Sequence, residues 1–234
     1  MEKNLSTAQK AQAINFDHNK YGTFAEIGAG QEVVRWFFRV GGAAGTVAKS
    51  MSAYDMVVSD AIYGKSQRYV SQERLQHMLD HEYSLLHKRL VDERGGEARF
   101  FVFADTISAR SYSRQQDGSG WMGIRFQGAP GQEPNDIIIH ARLFDEDNIK
   151  QQEAVGVIGV NLVHAAMEHT QDPHRILSSL LENLEPWRAE IGMARFTGPN
   201  YTEVDNRLMA LELVKEGLAR ATLFNASGEV VHPT

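Results

Sequence analysis

Apolar residues recur at helical spacing in the first third of the chain, gather into β-branched and aromatic runs in the middle, and return to helical spacing towards the end. Residues 1–21 carry only a thin apolar stripe in STAQKAQAI, so they read as a polar arm, or an early helix behind a serine or threonine cap. TFAEIG follows as a short strand that stops at Gly28. In QEVVRWFFRV, Val34, Phe37 and Phe38 share one side at helical spacing, which predicts a core-facing helix. The small residues Gly41, Gly42, Ala43, Ala44 and Gly45 predict a loop, with a helix after it. SQERLQHMLDHEYSLLHKRLVDERGG is the plainest helix: Ser71 caps it, Leu75, Leu79, Leu85, Leu86 and Leu90 form its stripe, and Gly95 and Gly96 end it.

The middle changes character. ARFFVFADTISARSY, GWMGIRFQ and NDIIIHARLF are β-rich runs separated by turn formers, and they predict a sheet with antiparallel neighbours. DEDNIKQQEAVGVIGVNLVHAAMEH returns to helical spacing behind acidic residues that suit the helix dipole, and DPHRILSSLLENL gives a second, shorter helix. The tail reads strand, turn, helix, strand, with Leu208, Leu211 and Val214 on one face, which is the order of a βαβ unit. The expected fold is α/β (or α+β): a mixed sheet with helices and a closing βαβ unit, residues 22–234 forming a single domain behind the 1–21 arm.

Composition narrows the function. The 234 residues are 42% hydrophobic, enough for a sizeable core, and carry a formal charge of −6 from 24 basic and 30 acidic residues mixed along the chain. No basic face is set aside, which argues against nucleic acid as a partner. There are no cysteines, so disulfides, thiolate metal sites and a cysteine nucleophile are excluded. The first residues lack the apolar core of a secretory signal and no apolar run of about 18 residues follows. The expectation is a cytoplasmic protein without a membrane partner.

Four clusters carry candidate chemistry. EIGAG after a strand is similar to the first motif of methyltransferases that use S-adenosylmethionine and to the start of a dinucleotide turn, where Gly28 and Gly30 let backbone N–H groups approach a phosphate. The third glycine of that turn is missing, and a purely structural bend is the competing reading. ADTISARSYSRQQDGSGW places Asp105, Arg110 and Arg114 where a strand opens into a polar loop; the arginines suit a phosphate or carboxylate clamp, or an ion pair with Asp117 or Asp136. His77 and His81 in HMLDH, with Glu73 a turn earlier, read as a solvated helix face sooner than a metal pair, and Asp145, Glu146 and Asp147 as a helix cap sooner than a magnesium site. Asp205 and Arg207 open the last helix and either reach a ligand or cap and pair. No serine sits in a G-x-S-x-G elbow.

The phrases NKYGTFAEIGAGQEVVRWFFRVGGAAGTVAKSMSAYDM, FFVFADTISARSY, GWMGIRFQ and VDNRLMALELVKEGL resemble the N-terminal part of a family of longer bacterial proteins. Its members carry discordant names, TonB-dependent receptor and nicotinate-nucleotide adenylyltransferase among them, and neither a barrel pattern nor an H-x-G-H phosphate motif is present here. The resemblance implies that relatives continue past Thr234 into another α/β region; it supplies no catalytic residues.

Together these features lead us to expect a bacterial cytoplasmic protein that binds a small anionic or nucleotide-like ligand. Gly28, Gly30, Arg110, Arg114, Asp205 and Arg207 are the candidate ligand contacts and Asp105 the candidate base. The reaction, the cofactor and whether the protein is an enzyme stay open. The alternatives are a non-catalytic homo-oligomeric assembly protein, suggested by RWFF beside the small residues 41–45, and an S-adenosylmethionine-dependent methyltransferase.

Overall fold

The computed structural model describes residues 5–94, 96–110 and 117–231. The chain begins with α1 (Thr7–Asn15), fixed by a capping box in which Ser6 and Gln9 each accept the other's backbone N–H. Its thin stripe suffices because Ala11 and Ile14 both enter the main core. Strand β1 (Lys20–Ile27) leads through the glycine turn into α2 (Glu32–Arg39), then a short 3-10 turn, β2 (Val47–Met51) and α3 (Met56–Tyr63). The long helix α4 (Gln72–Arg94) starts at Ser71, whose hydroxyl accepts the Arg74 N–H at 3.1 Å. β3 (Arg99–Ser108), β4 (Gly118–Gln127) and β5 (Pro134–Leu143) follow, then α5 (Asn148–Glu168), α6 (Pro173–Ser179), β6 (Ala189–Thr197), α7 (Asn206–Lys215) and the short strands β7 (Leu223–Phe224) and β8 (Val230–Val231).

The main sheet has the order β2-β1-β3-β4-β5-β6, with β1 parallel to both neighbours and the remaining pairs antiparallel. The protein is therefore α/β with a mixed sheet. Alternate residues of each strand face opposite sides. Phe24, Phe101, Phe103, Ile124 and Phe196 join α1, α2 and α5 in one core, while Ala25, Val102 and Ala104 meet Leu75, Met78 and Leu79 of α4 in the other. The crossover β1-α2-β2 runs over the first face and the connection from β2 through α4 to β3 over the second. Their C-terminal ends thus form a topological switch point beside β1. Gly156 and Gly159 let α5 approach α2 closely: a Cβ at Gly159 would lie 2.2 Å from Val33.

Three details differ from expectation. Residues 47–51 form a strand, because this edge position is half-buried throughout and needs no apolar alternation. Phe38 is exposed, since one residue past Phe37 is a turn of about 100° away from the core. In the tail the strand, helix, strand order is present, but β7 pairs with β8 in a separate hairpin instead of joining the main sheet. Among the described residues no helix is long and apolar enough to cross a membrane.

Candidate ligand-binding site

The glycine turn at the switch point is closed from within. Glu26 points from β1 into the first core and its carboxylate accepts the Val33 and Val34 N–H groups of α2, both at 2.9 Å. The protein's own carboxylate thus occupies the helix N-terminus that a phosphate would use. Asp105 is its register partner on β3, 1% exposed, accepting the Ile27 N–H at 3.2 Å through one oxygen while the other has no hydrogen-bond donor. Burial, with the Glu32 charge added and the two α2 N–H bonds opposing, pushes Glu26 up to about 7. Burial and then the Glu26 charge hold Asp105 well above the usual carboxylate range. Gly28 has φ 107°, and a Cβ there would lie 1.9 Å from the Ile107 carbonyl oxygen; the Tyr54 hydroxyl donates to the Gly28 carbonyl. Gly30 also has a positive φ, of 90°.

Arg110 lies three residues past Ile107, at the same end of the sheet. Its backbone N–H donates to Gln151 Oε1 at 2.7 Å, and Gln151 Nε2 donates to the Asp145 carbonyl at 2.7 Å, so α5 pins the start of this loop. Arg114 lies outside the described residues. Asp205 caps α7, accepting the Arg207 N–H at 2.9 Å and binding the Arg207 guanidinium. Because β6 is antiparallel to β5, Asp205 and Arg207 sit near Thr197, at the end of the sheet away from Gly28, Gly30, Asp105 and Arg110. His81 packs edge-on to Tyr63, and Asp147 caps α5.

The open ground lies beside this corner, on the second face of the sheet. There α4 covers β1, β3 and β4 but leaves the outer strands to the segment after α7. The result is a hollow of about 640 Å³ that begins at Ser108, within the size of ligand pockets, about 300–1,000 Å³. Its floor is Trp121 of β4 and His140 of β5, opposed in register, with ring centroids 4.8 Å apart at 71°. Gly192 lines it at a β-bulge, where pairing skips from Ile191↔Ala141 to Met193↔His140 and turns the edge of β6.

Three guanidinium groups ring this floor: Arg68, Arg142 and Arg220. Arg142 and Arg220 both lie over the Phe144 ring, 5.3 and 5.0 Å from its centroid. Their counterions are distant: Asp117 is 3.9 Å from Arg142 and Glu190 3.7 Å from Arg220. Arg68 has no ion pair among the described residues. Among the described residues, three cations against one carboxylate in the wall, Glu190, leave an excess of positive charge above an aromatic floor. The arrangement suits an anion that carries a planar group.

Reasoning from sequence missed Arg68, Trp121, His140, Arg142, Glu190 and Arg220. One signal was present: His140 and Arg142 alternate with Ile139, Ala141 and Leu143, so β5 turns two polar groups to one face of the sheet.

No protein-family model and no curated protein matches the sequence. Solved structures do. The competence-damaged protein (CinA) superfamily protein of Klebsiella pneumoniae 700603 matches with a TM-score of 0.50 at 12% identity, over 70% of this chain and 96% of that one. The CinA superfamily protein of Enterobacter cloacae gives 0.49 at 13% identity over 72% and 96%, and the competence/damage inducible protein of Agrobacterium tumefaciens 0.47 at 13% over 70% and 98%. What the chain has in common with the Klebsiella protein is the α/β fold.

Proposed function

We propose that this is a bacterial cytoplasmic protein that binds a small anionic, nucleotide-like ligand in the hollow over Trp121 and His140. The observation that supports the reading most is the trio Arg68, Arg142 and Arg220 around an aromatic floor, with a single carboxylate in the wall among the described residues. Arg142 and Arg220 clamp the anionic group, and the Trp121 ring supports the planar part. Calorimetric titration with adenosine 5′-monophosphate tests this. Arg142→Ala weakens binding about tenfold or more, the loss of one charge-assisted contact, while the melting temperature stays within about 2 °C because the side chain is half exposed. Equal affinity in the variant contradicts the reading.

Homo-oligomeric assembly is the second reading, and one observation favours it. Tyr54, Met56, Val57 and Val58 are 63%, 58%, 76% and 48% exposed in one short stretch, following the open edge strand β2. Trp36, by contrast, packs inward on α5 at Gly156. If this surface joins two copies, Val57→Asp converts an oligomer to a monomer in light scattering; a wild-type monomer at tens of micromolar ends the reading.

A further inference from the structure

Among the described residues, Glu190 Oε2 and Thr222 Oγ1 are polar atoms of the hollow's lining that the fold leaves without a hydrogen bond, and only the first belongs to a charged group. Glu190, at the start of β6, is 8% exposed and lines the cavity. Its Oε1 accepts the Arg220 N–H at 3.4 Å, but its enclosed Oε2 receives no hydrogen bond from the described residues, and Arg220 Nε lies 3.7 Å from it. Buried carboxylate oxygens are normally supplied with donors, so an unsupplied one in a cavity wall is an acceptor awaiting a ligand. Glu190 is also the register partner of Arg142 on β5. Side chains so paired stand about 5 Å apart at their Cβ atoms. A ligand that reaches both therefore carries an anionic group and a hydrogen-bond donor within a few bonds of each other.

We infer that Glu190 accepts hydrogen bonds from sugar hydroxyl groups of the ligand, which makes that ligand a hydroxylated sugar phosphate or nucleotide and Glu190 the residue that selects it. This rests on the ligand reading above. A bare phosphate or carboxylate offers no donor to Glu190 Oε2. An ammonium group offers one, but Arg68, Arg142 and Arg220 repel it. A neutral hydroxyl meets both conditions, as acidic residues do when they hold a ribose.

The test is calorimetric titration of the protein and of Glu190→Gln with adenosine 5′-monophosphate and with 2′,3′-dideoxyadenosine 5′-monophosphate. The wild type prefers the hydroxylated nucleotide by about tenfold or more, and the preference falls to within about threefold in Glu190→Gln, which keeps the shape but loses the charge. The dideoxy compound binds the variant at least as well as it binds the wild type, because Arg220 loses its competing carboxylate. Equal affinity for the two nucleotides, or a preference that survives in Glu190→Gln, overturns the inference. If both bind equally and Arg142→Ala weakens both, the ligand reading stands and only the role of Glu190 falls. If neither binds, both fall.

Discussion

The two ends of the path from Gly28 to Glu190 differ in how their charges are served. At the glycine corner the groups are turned inward: Glu26 holds the α2 N-terminus, Asp105 holds the Ile27 N–H with one oxygen and keeps the other buried away from any cavity, and Gly28 is fitted against Ile107. In the neighbouring hollow the groups are less well served, with Arg68 unpaired among the described residues, Arg142 and Arg220 at the limit of ion pairing, and Glu190 with a bare oxygen. A turn that looks built for phosphate can be filled by its own carboxylate, whereas incomplete pairing in a cavity marks where a ligand belongs.

The sharpest break in this comparison is Gly28→Ala. The new Cβ would lie 1.9 Å from a backbone oxygen and the φ of 107° is one that L side chains avoid, so the variant loses about 3 kcal/mol or more in urea unfolding, or does not fold. A loss below about 1 kcal/mol would mean that the corner is looser than a packed turn.

Asp105→Asn has the next largest effect, and its sign depends on pH. The folded-state pKa of Asp105 and of Glu26 are both raised, so the stability linked to their protonated forms is fully present below about pH 4 and is lost as pH rises through about 7, the value for Glu26. Asparagine keeps an acceptor for the Ile27 N–H and removes one of two buried like charges. The variant is therefore more stable than wild type by about 1–2 kcal/mol at pH 8, and the difference vanishes towards pH 4. A variant that is destabilised at pH 8 would show instead that the Asp105 charge is used.

Much of the fold was legible because its signals are local. The β-branched and aromatic runs in residues 99–108, 118–127 and 134–143 and the stripe from Leu75 to Leu86 each announce an element without help from distant residues. β2 was not, since VAKSM is a half-buried edge strand with small residues and an inward Lys49 paired to Glu82. The candidate site was legible only at its margin. Gly28 and Gly30 form a short motif that can be seen in one line of sequence, but its occupant, Glu26, reads there only as part of the strand. The hollow draws on positions 68, 121, 140, 142, 190 and 220, brought together by antiparallel register and by the chain after α7, so no spacing in the sequence announces it.

The most direct test of the contrast is a ¹H–¹⁵N NMR titration of the protein with adenosine 5′-monophosphate. We expect saturable shifts at the Trp121 indole and at the amides of Gly192 and Thr222, which line the hollow, with the Val33 and Val34 amides unmoved because Glu26 already holds them. Shifts concentrated at Gly28, Gly30, Val33 and Val34, with Trp121 silent, would return the ligand to the glycine corner and contradict the account.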